Sequence, residues 1–427
     1  MSRARIGPRG ALCGEAKVPG DKSITQRAIL IAAVASGTTR IRGANPGLDA
    51  RAALGIVRQL GVRVSASVRD GILIRGGTLQ ESDRVLDARN SGTALRLSTG
   101  LLCAQPFLSI LTGDPSLRRR PIARVIEPLR VLGADLTARQ GDRLPPIVVR
   151  GRPLQGAAVL TSVPSAQVKS AVLLAGIQAQ GITSVREPSL TRDHTERMLP
   201  QFGVAVERDG MAVRVRGPVT PTPADLEVPG DFSAASFLLA AAAIVRGSDI
   251  TLKGVGVNPT RTAFLDHLER VGSGLMRGNE RLASGEPVAD LRVRAGKIKG
   301  TRVAPEAVPR LIDELPLVAV LAAFAEGKTV VRGADELRVK ESDRVATVTA
   351  GLRAIGVEVE EHPDGWTIHG KGGRIRGGTV DAAGDHRIAM AFMVAGLAAR
   401  DGVTVLGAES ARVSDPGFLN RLRGLLR

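Results

Sequence analysis

Val18-Pro19-Gly20-Asp21-Lys22-Ser23-Ile24-Thr25-Gln26-Arg27 is the stretch whose reading decides the fold, and the apolar run from Ala28 to Ala35 follows it without a break. Pro, Gly and Asp end whatever precedes them, and Asp21 or Ser23 can cap the helix that must follow. A helix N-terminus carries unpaired N–H groups and about half a positive charge. Lys22 and Arg27 on that same turn concentrate cation where an anionic ligand would sit. Taken once, the stretch could be no more than a capped helix with two solvated bases. It occurs twice, however: Val228-Pro229-Gly230-Asp231-Phe232-Ser233 repeats it almost letter for letter and again leads into an Ala/Leu helix.

Outward from the first copy, the chain reads as a β-like run at Thr38–Gly43, a second helix from Leu48 to Leu60-Gly61, and two short strands at Val62–Val64 and Gly71–Gly76. The unit is therefore helix, strand, helix, strand, strand. Further copies open at Asn90-Ser91-Gly92-Thr93, Pro164-Ser165-Ala166-Gln167, Asp231-Phe232-Ser233, Asp313-Glu314-Leu315-Pro316 and Gly384-Asp385-His386-Arg387. Second helices of these copies are expected near Arg120-Pro121, at Thr191-Arg192-Asp193-His194-Thr195, and through Lys340-Glu341-Ser342-Asp343-Arg344. Copies at a spacing of roughly 70 residues are too long for a solenoid and suit quasi-symmetric layers within a domain. Three copies per half predict an α/β fold of two similar domains. Residues 19–226 form one, and residues 1–18 with 227–427 form the other, with the Pro-rich run Pro218-Val219-Thr220-Pro221-Thr222-Pro223 as linker. The residues before Val18 read as a strand belonging with the distal half.

Composition narrows the function. Apolar residues make up 43% and charged residues 24%, a globular balance, and the formal charge of +17 implies an anionic partner. Single-stranded nucleic acid would call for aromatics among the bases. The chain has no Tyr, one Trp and eight Phe, so stacking is excluded as a main device. Cys13 and Cys103 are isolated, which fits a reducing cytoplasm, and the five His residues have no metal-ligand spacing. No apolar run is long enough to span a bilayer, and no signal peptide is expected at residues 1–10. If the helix N-termini converge on an interdomain cleft, Lys22, Arg27, Arg120, Arg192, Lys340, Arg344 and Arg387 would line it. Asp313 and Glu341 would stand among those cations, and a carboxylate in such company stays ionised and ready to accept a proton. Asp49 and Asp231 read as caps or frame residues, and Cys103, within an apolar run, reads as core.

Val18-Pro19-Gly20-Asp21-Lys22-Ser23, Asn90-Ser91-Gly92-Thr93, Arg120-Pro121, Ser165-Ala166-Gln167, Arg338-Val339-Lys340-Glu341-Ser342-Asp343-Arg344 and Asp385-His386-Arg387 together resemble the 5-enolpyruvylshikimate-3-phosphate synthase family. The motifs run in order over essentially the whole chain. The Ser-Ala-Gln and Thr-Arg-Asp-His signatures are closer to the bacterial second class than to the enteric type. The resemblance implies an inside-out α/β barrel in each half and transfer of the enolpyruvyl group of phosphoenolpyruvate to the 5-hydroxyl of shikimate 3-phosphate. It implies that Ser23 and Arg27 hold the shikimate carboxylate. Ser165, Ala166, Gln167 and Lys340, with Arg192, would hold its phosphate region, where Lys22 and Asp313 also face this substrate. Lys22, Asn90, Gly92, Arg120, Gln167, Arg344, His386 and Arg387 would surround phosphoenolpyruvate. Gly92 suits close approach of ligand to backbone. Asp313 becomes the candidate general base for the 5-hydroxyl, and Glu341 and Lys22 the candidates for protonating the enol carbon.

The resemblance implies no metal and no organic cofactor, two small-molecule substrates as the partners, no nucleic acid or membrane, and a monomer. Two departures stand out: Gln26 sits where the family has His or Asn, and Val413-Ser414-Asp415-Pro416 lacks the Lys and the aromatic of the family pattern, leaving a phosphate contact unsupplied there. Three rivals remain on the sequence. A UDP-N-acetylglucosamine enolpyruvyl transferase would have Asn after Lys22 and a reactive Cys in a mobile loop. An RNA-binding or RNA-end-processing protein of related repeat fold would use the charge differently. A non-catalytic binder of phosphorylated ligands would have little use for Asp313 and Glu341.

Overall fold

The computed structural model describes residues 2–67 and 71–427. They divide into two compact units. One comprises Gly20–Val228 with Leu282–Glu286, and the other the residues up to Pro19 with Pro229–Arg281 and Pro287–Arg427.

In the 20–228 unit three helices, Lys22–Val34, Gly92–Leu102 and Ala166–Gly176, are buried on nearly every side. Three four-stranded sheets accompany them: Asp225–Glu227, Thr38–Arg42, Gly71–Arg75 and Arg63–Ser67; Leu86–Asp87, Leu108–Thr112, Leu144–Arg150 and Asp135–Ala138; and Ala158–Leu160, Gly181–Arg186, Ala212–Gly217 and Val206–Asp209. In each sheet the first pair is parallel and the others antiparallel. The strands alternate buried and exposed positions, as in Leu144–Arg150, whereas the helices have no exposed face. Helices buried all round belong in the centre and sheets with a wet face belong outside, which inverts the usual α/β barrel. Amphipathic helices such as Leu48–Gln59 join the strands. The tip 282–286 groups with this unit through Glu227 N donating to Ser284 Oγ at 2.8 Å and Arg197 Nη1 donating to the Gly285 carbonyl at 3.2 Å.

The 229–427 unit repeats the plan. Its central helices are Phe232–Ile244, Leu315–Phe324 and His386–Ala398, and every residue of the second is buried. Two sheets have four strands: Cys13–Ala16, Asp249–Gly256, Glu286–Arg294 and Leu275–Ala283; and Arg302–Val303, Glu326–Val331, Gly365–Lys371 and Glu358–His362. The third has three, Gly378–Asp381, Val403–Leu406 and Arg3–Ile6, the last antiparallel to Val403–Leu406.

The repeated Pro-Gly-Asp marks two of the places where the chain passes from one unit to the other, apart from the short run 282–286. Cys13–Ala16 leads into the first central helix but pairs with Asp249–Gly256, and Asp225–Glu227 leads into the fourth but pairs with Thr38–Arg42. Gly20 is required at its crossing: a Cβ there would lie 1.7 Å from the Gly43 carbonyl oxygen. Asp21 then caps its helix by accepting from Ile24 N at 2.9 Å, and Asp231 does the same for Ala234 N at 3.0 Å. Such caps contribute about 1 kcal/mol each.

Several expected bounds move. The stretch at 225–227, placed at the edge of a linker, is a strand, so a division at 226/227 would cut it; the chain passes over at 228/229. Lys340 and Glu341 lie off the helix expected there. Lys340 ends a 3-10 turn, and Asp343 caps a helix that begins at Arg344 by accepting from Ala346 N. Arg120 likewise follows a 3-10 turn, and its helix is Ala123–Val131.

Candidate active site

The candidate residues of the 20–228 unit gather at the N-terminal ends of its three central helices. Arg27 lies one turn inside the first of them and is 2% exposed. Its Nε donates to Thr195 Oγ1 at 2.8 Å, Nη1 to the Ser23 carbonyl at 3.0 Å and Nη2 to Ser170 Oγ at 3.0 Å. A guanidinium has five N–H donors, so one remains on each Nη, the pair that grips a carboxylate. Burial pushes Arg27 down to about 10, with the Glu196 carboxylate opposing and the Arg192 guanidinium adding to the fall. Arg192 is therefore close enough for the two cations to repel.

Next to this group, Lys22 pairs with Asp49 at 2.9 Å, which makes Asp49 a partner of the site. Asn90 donates to Asp114 at 2.7 Å and accepts from Arg120 Nη2 at 3.0 Å. Gln167 accepts from Arg96 Nη1 at 2.7 Å and donates to Thr93 Oγ1 at 2.9 Å. Arg96 also crowds Gly92: a Cβ on Gly92 would lie 2.6 Å from Arg96 Nη1 and 3.6 Å from Arg120 Nη1. Ser165 stands at the cap of Ala166–Gly176, yet its hydroxyl makes no capping bond, unlike Ser91 at the cap of Gly92–Leu102. Gln26, the departure at the first motif, is fully buried and accepts from Ser91 Oγ at 2.6 Å.

The 229–427 unit holds the carboxylates. Asp313 precedes the helix Leu315–Phe324, with Glu314 at its cap position. Its carboxylate oxygens lie 3.8 Å from Arg344 Nη1 and 3.4 Å from Arg387 Nη2. Arg387 Nη1 also donates to the Asp313 carbonyl at 2.8 Å. Arg344 is held by Asp385 at 2.8 Å and Glu341 at 2.7 Å. Burial works against the Arg344 charge, but Asp385 and Glu341 together outweigh it and hold the guanidinium above its usual range. Burial pulls Asp385 upward, and Arg344 outweighs that in turn and holds it below the usual carboxylate range. Lys340 donates to Glu336 at 3.1 Å, and burial pulls its ammonium below the ordinary lysine range against the charges of Glu336 and Asp313. His386 is buried at the start of the last central helix.

Residues to which the sequence reading gave no site role complete both groups: Arg96, Ser170 and Thr195 in the first, Ser233, Arg261 and Glu314 in the second. Arg261 and Arg387 both reach Ser233 Oγ and Glu314, and burial pushes Glu314 above the usual range while those two guanidiniums pull it back. The signal available for some of them was a polar residue inside an apolar helical run, as with Arg96 and Ser170. At the other departure, Asp415 is buried, accepts from Gly417 N at 3.1 Å and pairs with Arg421 of the final helix, so it serves as a local tie. Cys103 is core, and burial pushes its thiol up to about 12. Among the described residues, no three His, Cys, Asp or Glu side chains are grouped as a metal would need.

The chain matches the family model for EPSP synthase (3-phosphoshikimate 1-carboxyvinyltransferase) over residues 6–422. It is 51% identical over 418 residues to the 3-phosphoshikimate 1-carboxyvinyltransferase of Anaeromyxobacter sp. (strain Fw109-5), covering 98% of this chain and 97% of that protein. It is 46% identical over 430 residues to the enzyme of the same name from Geobacter sp. (strain M21), covering 100% of both chains. The structure of EPSP synthase from Acinetobacter baumannii superposes with a TM-score of 0.89 at 40% identity, over 99% of this chain and 98% of that one. The enolpyruvyl transferase NikO from Streptomyces tendae shares the fold, with a TM-score of 0.79 at 16% identity over 99% of this chain and 96% of that one.

Proposed function

The chain belongs to the EPSP synthase family and is a 3-phosphoshikimate 1-carboxyvinyltransferase, and we propose that its side chains divide the work as follows. The reaction joins the 5-hydroxyl oxygen of shikimate 3-phosphate to C2 of phosphoenolpyruvate, with the hydroxyl proton going to a base and a proton arriving at C3. Loss of phosphate from C2 and of a proton from C3 then restores the enol ether. Asp313 is the base. Glu341 and Lys22 supply and recover the proton at C3. Ser23 and Arg27 take the shikimate carboxylate, and Ser165, Ala166, Gln167, Arg192 and Lys340 take its phosphate region. Lys22, Asn90, Gly92, Arg120, Gln167, Arg344, His386 and Arg387 take phosphoenolpyruvate, where fixed cations offset the charge that develops as phosphate departs.

One observation carries this assignment. Asp313 stands at 3.4 and 3.8 Å from two guanidiniums, looser than the 2.7–2.8 Å at which Arg344 is held by Glu341 and Asp385. A carboxylate set among cations is the group this chemistry asks to accept the hydroxyl proton. We also read the enzyme as a cytoplasmic monomer, a reading supported by its free cysteines; no helix of the described residues is long and apolar enough to cross a membrane.

The test is phosphate release from phosphoenolpyruvate with and without shikimate 3-phosphate, by the wild type and by Asp313→Ala. Release that needs both substrates and collapses in the variant supports reaction and base together. Release that survives the substitution overturns Asp313 as base, and no release with this acceptor overturns the substrate.

A further inference from the structure

Behind Arg27 lies a buried charged cluster that the reaction chemistry does not use. Lys169, in the helix Ala166–Gly176, is 2% exposed. Its Nζ donates to Glu187 Oε2 at 2.6 Å and lies 2.8 Å from Glu196 Oε1. Both carboxylates are buried, and Glu187 Oε1 accepts from Thr191 Oγ1 at 2.5 Å. With Arg27, whose charge Glu196 supports, the four groups are neutral overall.

An ammonium taken out of water is costly, and an aliphatic side chain of similar volume would fill the same space more cheaply. What the aliphatic chain lacks is direction. Lys169 joins three segments: its own helix, the end of the strand Gly181–Arg186 at Glu187, and the helix His194–Met198 at Glu196. Each charged residue also lies beside a hydroxyl that connects to a candidate ligand residue: Ser170 and Thr195 receive Arg27, and Thr191 adjoins Arg192. Ser170 follows Lys169, Thr195 precedes Glu196, and Thr191, bonded to Glu187, precedes Arg192. Ser170 Oγ and Thr195 Oγ1 lie 2.7 Å apart and both receive Arg27. The Lys169–Glu196 and Ser170–Thr195 contacts are thus two neighbouring rungs between the same two helices.

We propose that Lys169 is a positioning residue for the acceptor substrate, aiming Arg27 through Glu196 and Thr195, and Arg192 through Glu187 and Thr191. The proposal rests on the reading that Arg27 and Arg192 bind shikimate 3-phosphate. It requires that the cluster change recognition of that substrate and leave phosphoenolpyruvate alone.

The experiment compares steady-state kinetics of Lys169→Met, the charge-free triple variant Lys169→Met/Glu187→Gln/Glu196→Gln, Arg27→Ala, and the triple variant combined with Arg27→Ala. The triple variant removes every buried charge of the cluster except Arg27 at nearly constant volume, so it guards against a Lys169→Met chain that does not fold. The expected result for the folded triple variant is a KM for shikimate 3-phosphate raised about tenfold or more, with the KM for phosphoenolpyruvate and kcat within about threefold. In the Arg27→Ala background the same three substitutions should add less than they do in the wild type, the remainder being the share carried through Arg192. A folded triple variant with a wild-type KM for shikimate 3-phosphate overturns the proposal, as does an equal rise in both KM values. Full additivity with Arg27→Ala overturns the route through Arg27. An unchanged KM in Arg27→Ala itself overturns the earlier reading of Arg27, and this proposal falls with it.

Discussion

Arg27 and Arg344 are the same residue type at nearly the same depth, 2% and 1% exposed, one in each unit, and their surroundings are opposite. Arg27 donates to two hydroxyls and a carbonyl. Arg344 is held by the carboxylates of Asp385 and Glu341, with Asp313 at 3.8 Å. Burial accordingly wins at Arg27 and pushes it down, while at Arg344 the carboxylates win and push it up. A buried cation bonded to neutral groups, with carboxylates nearby but not bonded to it, keeps more of its field and has an anion to gain; one bonded to carboxylates has its field largely cancelled. On the proposed roles, the 20–228 unit supplies the electrostatics of a receptor for anions and the 229–427 unit those of a proton-handling device.

The sharpest test of that division is Asp313→Asn. It keeps the shape but replaces the proposed base with an amide that cannot take the proton, so kcat should fall about 10²- to 10⁴-fold with KM for both substrates little changed. A fall of less than tenfold would break the comparison at its centre, because the carboxylates beside Arg344 would then have no catalytic reason to be there.

Next in size is the stability contrast between the two arginines. Arg344→Met leaves Asp385 buried without its cation and should cost about 3–5 kcal/mol in urea unfolding. Arg27→Met removes a charge whose partners can bond one another, so the folded state should lose about 1 kcal/mol or less. Its cost should appear instead as a rise of about 10- to 100-fold in KM for shikimate 3-phosphate, the range of one or two hydrogen bonds to a charged group. Equal stability losses would show that partner chemistry does not distinguish the two sites.

Much of this division was legible in the sequence, and the reasons are local. Caps, the Pro-Gly-Asp crossings and Ala/Leu runs are decided by neighbours in the chain, so the six-part repeat and the central helices could be read directly. Arg27 and Asp313 were legible because each lies in a short motif. The pairing of Lys169 with two carboxylates was not, because Glu187 and Glu196 meet it only after a strand and a helix have packed. The same holds for Arg261 and Glu314, and for the grouping of residues 282–286 with the 20–228 unit. The strand at 225–227 was hidden by the prolines before it, and the position of Lys340 and Glu341 ahead of their helix by a run of charges that also suits a helix start. Capping by Asp343 settles that case.

pH provides a smaller test of the same comparison. Asp385 is held below the usual carboxylate range, so its contribution to stability is fully present above the unfolded value of about 3.9 and is lost as pH falls through the lower folded value. Asp385→Asn should lower the urea midpoint at pH 7 and flatten its decline in acid. Lys340 is likewise pulled below its usual range, but by burial, and for a base this means that its ammonium discharges earlier as pH rises. KM for shikimate 3-phosphate should therefore climb on the alkaline side, and Lys340→Arg, which stays charged, should move that limb to higher pH. An alkaline limb identical in the two proteins would take Lys340 out of the substrate contacts.

The smallest expected effect lies between two central helices of the same unit. Gln26 Oε1 accepts the hydroxyl of Ser91 at 2.6 Å, and Gln26 Nε2 donates back to the Lys22 carbonyl at 3.3 Å. Ser91 Oγ also accepts from Ala94 N at 3.1 Å, capping the helix that presents Gly92. One amide thus links the turn carrying Lys22 to the cap beside Gly92. Gln26→Leu keeps the volume but leaves the Ser91 hydroxyl without its buried acceptor, which should cost about 1–3 kcal/mol. It should raise KM for phosphoenolpyruvate a few-fold and KM for shikimate 3-phosphate less, because Gly92 belongs to the phosphoenolpyruvate site alone and Arg27 makes no bond to this amide. Gln26→Leu combined with Ser91→Ala should recover part of the stability by removing the stranded donor, although the helix then loses its side-chain cap. If the double variant is no more stable than Gln26→Leu alone, the hydroxyl was never the source of the cost, and the receptor half owes its order to packing rather than to this bond.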